Sequence, residues 1–211
     1  MKVKYYTILV CLLIVFMFFV VQLGLGIDLA WEVGTIHQNF FLSMIAHGSM
    51  GHLLGNLFAL FLFGLMLEGT IGTNKYMKLL LAAGVAGNLA GIGSYNRVLG
   101  ISGAVLGVIG ALSVLRPKMV VWISGLPMPM LLAGAAYAAI DLLGVLAPAS
   151  NTGHLAHLGG LAVGVALGFY WREDARDFGD GFKRSKKRSL SKREREEIDA
   201  QLDEFEDRYL R

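Results

Sequence analysis

Polar side chains with catalytic potential begin three apolar segments of this chain. Ser102 opens one segment, His52 and Asn56 lie early in another, and His154 and His157 begin a third. Ionisable and hydrogen-bonding side chains inside a membrane span are costly and usually functional. A serine, a histidine base and further hydrogen-bond donors are the groups that nucleophilic acyl transfer requires. The residue types therefore indicate a site assembled from three separate segments.

Ser102 and His157 form the candidate catalytic pair. A serine hydroxyl is a poor nucleophile until a neighbouring base removes its proton, and histidine titrates in the range that suits this base. The alternative is purely structural, in which Ser102 is a small packing residue and His157 an interfacial polar group.

His52 and Asn56 are candidate donors to a developing oxyanion. They lie four residues apart and therefore share one face of a helix. The backbone N–H of Ser102, at the start of its own helix, would add another donor. The alternative is a polar pair that holds its segment against the neighbouring ones.

A metal site is the other reading of His154 and His157, because residues three apart share a helix face. The His-Glu-x-x-His pattern of zinc proteases is absent, and no acidic residue lies nearby in the same segment. We therefore expect no metal and no cofactor. Asp141, in the preceding apolar segment, offers either an orienting acid or an interhelical hydrogen bond, and we favour the hydrogen bond.

The composition separates a membrane core from a solvated tail. Hydrophobic residues make up 55% of the chain, yet residues 172–211 hold 12 of the 19 Lys and Arg and 12 of the 16 Asp and Glu. We predict a membrane domain over 1–171 and a charged cytoplasmic tail over 172–211, disordered or loosely helical. The tail's basic run either is solvated or lies on anionic lipid headgroups, and we expect no nucleic-acid partner.

Six apolar segments predict the fold class, an all-α polytopic membrane protein of the cell membrane. A helix needs about 20 apolar residues to cross a bilayer core of roughly 30 Å. The first segment has no clear small-residue cleavage site after it, which favours an uncleaved span over a signal peptide. The segments that reach or approach this length are 5–25, 51–68, 76–94, 101–115, 129–147 and 154–171.

Basic residues predict the orientation. They precede the first segment, lie between the second and third and between the fourth and fifth, and follow the sixth, whereas Arg97 is the exception on the other side. Basic loops stay cytoplasmic, so we expect both termini there. The second, fourth and sixth helices then all begin at the outer face. All five histidines map to that face: His37, His47, His52, His154 and His157.

Small residues predict which helices pack closely. Glycines recur at four-residue spacing on the sixth segment, at Gly160, Gly164 and Gly168, and on the fourth at Gly103 and Gly107. Such spacing lets membrane helices approach backbone to backbone. The fourth segment holds 15 residues, about 22 Å of helix, so we expect Ser102 below the outer boundary and reached by water through a cavity.

The motifs together resemble those of the rhomboid intramembrane serine proteases. The resemblance covers residues 5–171 and implies a rhomboid-like bundle of six transmembrane helices. The matching motifs occur in order on the expected segments: His47-x4-His52-x3-Asn56, Glu68, Gly100-x-Ser102-Gly103 and Ala156-His157-x-x-Gly160-x-x-x-Gly164.

The resemblance also implies roles for individual residues. Ser102 and His157 correspond to a catalytic dyad without an acid, and His52 and Asn56 to the oxyanion hole. His47 corresponds to a structural histidine. Glu68 corresponds to the glutamate of the family's second span. Gly100, Gly103 and Gly160 match the remaining motif positions and are supporting residues. His154 has no family role and is added to them because it neighbours the site.

Two positions depart from the family pattern. Gln38 and Asn39 stand where some members have a Trp-Arg pair in the first outer loop, and Leu106 stands where many have an aromatic residue that stacks on the base. The first departure concerns how the loop is anchored, and the second concerns how firmly His157 is oriented.

The resulting expectation is an intramembrane serine endopeptidase that cleaves membrane-anchored substrates near the outer end of their own transmembrane segment. Its partners are transmembrane protein substrates and the lipid bilayer, and its oligomeric state is left open. One alternative is a rhomboid-like protein that binds clients without catalysis, although such proteins usually lack the serine or the histidine. Another is a small transporter or proton relay, which predicts polar residues that continue to the cytoplasmic side.

Overall fold

The computed structural model describes residues 5–23, 27–33, 39–92, 94–123, 125–147, 152–173, 175 and 200. His37, Gln38 and nearly all of the predicted tail lie outside these residues. The described part is mostly helical, and long helices occupy all six predicted segments. The helices are α1 Tyr6–Gln22, α2 Asn39–Leu42, α3 Met50–Ala59, α4 Leu65–Ile71, α5 Thr73–Ala90, α6 Ser102–Leu115, α7 Met130–Leu146 and α8 His154–Tyr170.

The second segment is one continuous helix with a local irregularity. A π-helical stretch, Leu60–Gly64, joins α3 to α4, so that the combined helix runs over Met50–Ile71. π-helical turns of this kind are often found near functional sites. A 3-10 turn, Ser43–Ile45, follows α2 and lies ahead of this long helix.

Length and composition support one membrane-crossing helix within the described residues. Met50–Ile71 has 22 residues and a mean hydropathy of 1.8. Helices α1, α6, α7 and α8 are apolar but shorter, with 17, 14, 17 and 17 residues. The helices were predicted correctly, whereas the six-span arrangement and its orientation stay predictions.

Two small antiparallel sheets correct the all-α prediction in detail. Strand β1, Trp31–Glu32, pairs with β2, Arg97–Val98, across two connecting loops. Strand β3, Val120–Ile123, pairs with β4, Leu126–Pro129, directly before α7. Proline cannot donate a backbone hydrogen bond, and it is tolerated on edge strands such as β4. Pro127 and Pro129 therefore lie in this hairpin, directly before α7.

Helix α6 is the centre of the bundle. Every residue from Gly103 to Ser113 is buried, and the helix packs against α5, α7 and α8. Its glycines meet those of α8 without intervening side chains. A Cβ atom at Gly160 would overlap the Gly103 carbonyl, and one at Gly164 would overlap that of Gly107. Small residues permit this approach of two backbones.

Hydrogen bonds to Glu68 of α4 connect this helix to the start of α1. The Glu68 carboxylate is fully buried and accepts hydrogen bonds from the backbone N–H groups of Tyr6 and Thr7 at 2.9 and 3.0 Å. It also accepts from the hydroxyls of Thr7 and Thr73, at 2.8 and 2.6 Å. A buried carboxylate needs such donors to offset its lost hydration. The first two bonds satisfy N–H groups that the start of a helix leaves without intrahelical partners.

Candidate active site

One cavity of about 870 Å³ collects the predicted catalytic side chains. Ser102 at the start of α6, His157 in the first turn of α8, and His52 and Asn56 on α3 all line it. Gly100 and Gly103 line it as well. His47, His154 and Gly160 lie outside the cavity lining and contact residues that form it.

The turn before Ser102 depends on Gly100. Its φ of +113° lies in a region that residues with a side chain rarely adopt, and a Cβ atom there would meet the His52 ring at 2.7 Å. The Gly100 N–H donates to the Ser43 carbonyl at 2.8 Å. This turn, two residues before Ser102, therefore packs directly against the His52 ring.

The N–H group of Ser102 is outside the hydrogen-bond ladder of α6. The first bond of that helix runs from the Val105 N–H to the Ile101 carbonyl at 3.0 Å. Ile101 is the N-cap residue, and its side chain makes no capping hydrogen bond. The start of a helix carries partial positive charge and N–H groups that have no intrahelical acceptor. Such groups are suited to stabilise an oxyanion next to the nucleophile.

Sequence reasoning missed a support formed by Ser43 and Asn88. The buried Asn88 amide on α5 donates to the Phe40 carbonyl at 2.6 Å and to the Ser43 hydroxyl at 3.1 Å. Because the Ser43 carbonyl also accepts the hydrogen bond of the Gly100 N–H, the Asn88–Ser43 contact links α5 to the turn before Ser102. An asparagine inside the apolar third segment was the available signal.

Asn56 and His52 are held by their own helix. The Asn56 amide donates to the His52 carbonyl at 3.1 Å, and the His52 N–H donates to the hydroxyl of Ser49, the N-cap of α3, at 3.2 Å. One Asn56 amide proton is used in this bond, which leaves the second as a donor for a bound group. Both side chains therefore face the cavity from a fixed helical turn.

His47 is a buried neighbour of the site. Its side chain precedes α3, is 3% exposed and packs edge-on against the His52 ring with 5.0 Å between ring centroids. Burial, together with the charge of protonated His52, lowers the pKa of His47 to about 4. His47 is therefore neutral near pH 7, which suits a packing role.

Asp141 connects α7 to the two histidines of α8. Its Oδ1 atom lies 2.9 Å from His157 Nδ1 and 2.7 Å from His154 Nδ1, and the residue is buried. The contact is an interhelical hydrogen bond, and because its partners are histidines it fits the orienting role that we favoured less as well as the bond that we favoured. The three ligand atoms also lie within 4.8 Å of one another, a spacing that a metal ion can occupy.

The nucleophile and the base share the cavity, but the described residues show no hydrogen bond between them. Within the described part of the chain, no hydrogen bond joins the Ser102 hydroxyl to a His157 ring nitrogen. Catalytic hydrogen bonds are often long in unliganded enzymes and tighten when the substrate binds. Because the backbones of α6 and α8 already touch here, the Ser102 hydroxyl and the His157 ring must come together by movement of their side chains before the proton moves.

The two departures from the family pattern have defined surroundings. Asn39, at the start of α2, donates to the carbonyls of Asp28 and Ala30 at 3.1 and 3.3 Å, so that hydrogen bonds hold the segment between α1 and α2 against α2. Asp28 also pairs with Arg97, close to the β1–β2 contact. Leu106 lines the cavity as an aliphatic side chain.

Comparison with known proteins identifies a family. The Rhomboid domain model matches residues 30–174, which is more than half of the chain. The human presenilin-associated rhomboid-like protein, mitochondrial, is 32% identical over 141 residues, covering 63% of this chain and 37% of that protein. Rhomboid protein 1, mitochondrial, from Saccharomyces cerevisiae is 30% identical over 138 residues, or 61% of this chain and 40% of its own.

A bacterial protein shows a similar relationship. Rhomboid protease GlpG from Haemophilus influenzae is 35% identical over 130 residues, covering 59% of this chain and 65% of that protein. In each of these three comparisons the matched region spans less than two thirds of the relative's length.

Proposed function

This chain belongs to the rhomboid family, and on that premise we propose that it is an intramembrane serine endopeptidase. Its substrates are membrane-anchored proteins, cleaved in or near their transmembrane segments. The observation that carries the proposal is a cavity whose lining Ser102, His157, His52 and Asn56 share. A similar protein from Haemophilus influenzae is named as a protease.

The residues support a two-step acyl transfer. His157 Nε2 takes the proton of the Ser102 hydroxyl while Oγ attacks the scissile carbonyl carbon, and the oxygen becomes an oxyanion held by His52, Asn56 and the Ser102 N–H. His157 then gives its proton to the departing amine, which leaves an acyl-enzyme. Water, deprotonated by the same nitrogen, attacks the ester carbon; the bond to Ser102 Oγ then breaks as His157 returns the proton to that oxygen, which releases the carboxylate product.

The proposed membrane arrangement follows the basic residues. The six long helices cross the bilayer with both termini in the cytoplasm, so that water reaches Ser102 from the outer face and substrate enters sideways from lipid. Local unwinding of the substrate helix exposes the scissile bond. Reaction of single cysteines, introduced into each loop, with a membrane-impermeant reagent tests this topology.

The cell membrane is the proposed location. The relatives are named as mitochondrial in human and yeast, and a further one is bacterial. Fractionation of the host's membranes decides between these locations, and recovery with a mitochondrial marker would replace the present proposal.

A client-binding protein without catalysis is the second candidate. Within the described residues Ser102 and His157 share no hydrogen bond, an arrangement that such a protein and an unliganded protease would both have. In that case the cavity receives transmembrane segments but no acyl-enzyme forms.

A serine-directed fluorophosphonate probe separates the two candidates. We expect labelling of the wild type, and none of Ser102→Ala, alongside cleavage of a transmembrane substrate in liposomes by the wild type alone. His157→Ala should be equally inactive, and the double variant no worse than either single one, because the two groups act as a unit. A folded Ser102→Ala protein with full proteolytic activity would refute the protease assignment.

A further inference from the structure

Asp141 lies behind His157 as seen from the cavity. The carboxylate is absent from the cavity lining, whereas His157 is part of it. The side chains of Asp141, His154 and His157 are 6%, 12% and 17% exposed. His157, the candidate base, therefore lies next to the cavity, and Asp141 lies on the far side of it.

The contact fixes which ring nitrogen of His157 carries the proton. An ionised carboxylate only accepts hydrogen bonds, so His157 Nδ1 must be protonated to donate to Asp141 Oδ1. In the neutral ring, the lone pair then belongs to Nε2. A base that removes a serine proton through Nε2 requires this tautomer.

His154 makes the same type of bond to the same oxygen. Both histidines lie in the first turn of α8, three residues apart, and both direct Nδ1 at Oδ1. A carboxylate inside an apolar bundle needs donors to remain ionised. His154 therefore satisfies part of this requirement and fixes the carboxylate in place.

We propose that Asp141 is a positioning residue, which holds His157 as the base and stabilises the imidazolium that forms when Ser102 loses its proton. The inference rests on the proposed protease function. Asp141 itself takes no proton: the serine proton resides on Nε2, Nδ1 keeps its own, and Nε2 passes its proton to the departing amine.

A purely structural role is the competing explanation, in which Asp141 only joins α7 to α8. The two roles differ in their effect on the protonation of His157. Loss of a nearby negative charge makes an imidazolium less stable, so that the base loses its proton at lower pH. Loss of a helix contact alone lowers the amount of folded protein but leaves the pH dependence of the active fraction unchanged.

Several other titratable groups surround His157 and are the same in all variants. His52 lies on α3, Tyr137 on α7, and Tyr95 and Arg97 in the loop before α6, and all four line the cavity. Comparing variants with the wild type at each pH removes their contribution.

Asp141→Asn is the first test, with kcat and KM measured from pH 5 to 9 on a transmembrane substrate in liposomes. We expect kcat to fall by about 10²-fold or more, within the ~10²–10⁴-fold range that general acid–base catalysis supplies. We expect KM to change little and the acid limb of the pH profile to move to lower pH.

His154→Leu is the second test, and it predicts a shift in the opposite direction. Without this donor, Asp141 Oδ1 accepts a hydrogen bond from His157 alone. The protonated form of His157 is then more stable, and the acid limb of the pH profile moves to higher pH. This variant keeps the inference testable if Asp141→Asn does not fold.

Ser113→Ala is the matched structural control. The Ser113 hydroxyl bonds the Ile109 carbonyl at 2.8 Å and the Met130 carbonyl at 3.1 Å, and the second bond joins α6 to the start of α7. We expect a lower melting temperature for this variant with an unshifted pH profile. Unshifted profiles for both Asp141→Asn and His154→Leu would refute the positioning role.

The remaining outcomes separate the proposals from each other. Labelling of the wild type that does not depend on Ser102 would refute the protease function and this inference together. Ser102-dependent labelling with activity abolished by a chelator and restored by Zn²⁺ would leave the protease function and replace the inference, because Asp141, His154 and His157 would then be metal ligands.

Discussion

Gly160 of α8 lies directly against the carbonyl group of Gly103 in α6, and the space between them cannot hold a Cβ atom. Ser102 immediately precedes Gly103, and His157 lies one turn before Gly160. One of the close approaches of the two helices therefore occurs beside the candidate nucleophile and base. Backbone packing at this point sets the distance over which a proton must move.

Gly160→Ala should abolish activity and also lower the melting temperature. Its Cβ atom would meet backbone rather than a flexible side chain, so the helices must separate. Proton transfer needs heavy atoms about 2.6–3.2 Å apart, and a displacement near one ångström prevents it. Cleavage rate and melting temperature are measured together in the same detergent.

Gly164→Ala and Gly168→Ala are the controls for this position. Gly164 is equally tight against Gly107 but lies one turn deeper, whereas a Cβ atom at Gly168 would lie 3.1 Å from the Ala111 carbonyl oxygen. We expect the ratio of activity loss to stability loss to decrease from Gly160 to Gly164 to Gly168. Equal ratios would show that this packing affects folding alone.

His52→Ala and Asn56→Ala should each reduce turnover and leave measurable activity. A single oxyanion donor typically contributes about 2.7–4 kcal/mol, or ~10²–10³-fold in kcat. Both variants should still react with the fluorophosphonate probe, because Ser102 and His157 are intact. Unchanged kcat at both positions would mean that α3 only packs against its neighbours.

Glu68→Gln should destabilise the protein without affecting the catalytic groups. Replacing one carboxylate oxygen by NH₂ puts a donor opposite the donors of Tyr6, Thr7 or Thr73, and each unsatisfied buried group costs about 1–3 kcal/mol. Thr73→Val removes one of the four bonds and should lower the melting temperature less. A Glu68→Gln protein as stable as the wild type would argue against this anchor.

Thermal stability should decrease as the pH falls from about 6.5 to 4. The pKa of His47 is about 4 in the folded state and near its ordinary 6.5 in the unfolded state, so protons bind the unfolded chain preferentially in this window. The contribution of His47 to the free energy of unfolding is fully present above pH 6.5 and amounts to at most about 3 kcal/mol. His47→Gln should show a smaller decrease, and a decrease equal to that of the wild type would exclude His47 as the cause.

The sequence alone determined the helices and the identities of the candidate catalytic groups. Apolar runs are local signals, and they predicted α6 at Ser102–Leu115 and α8 at His154–Tyr170 almost to the residue. The spacing of His52 and Asn56 placed them on one helix face, because helical periodicity is a property of the chain itself.

Tertiary structure decided which faces meet. Periodicity shows that His154 and His157 share a face, but it does not show that Asp141 of another helix lies opposite both. The same holds for Glu68, which reaches the start of α1 across more than 60 residues of sequence. Such contacts depend on how close two backbones come, and that distance is set by glycines on both helices acting together.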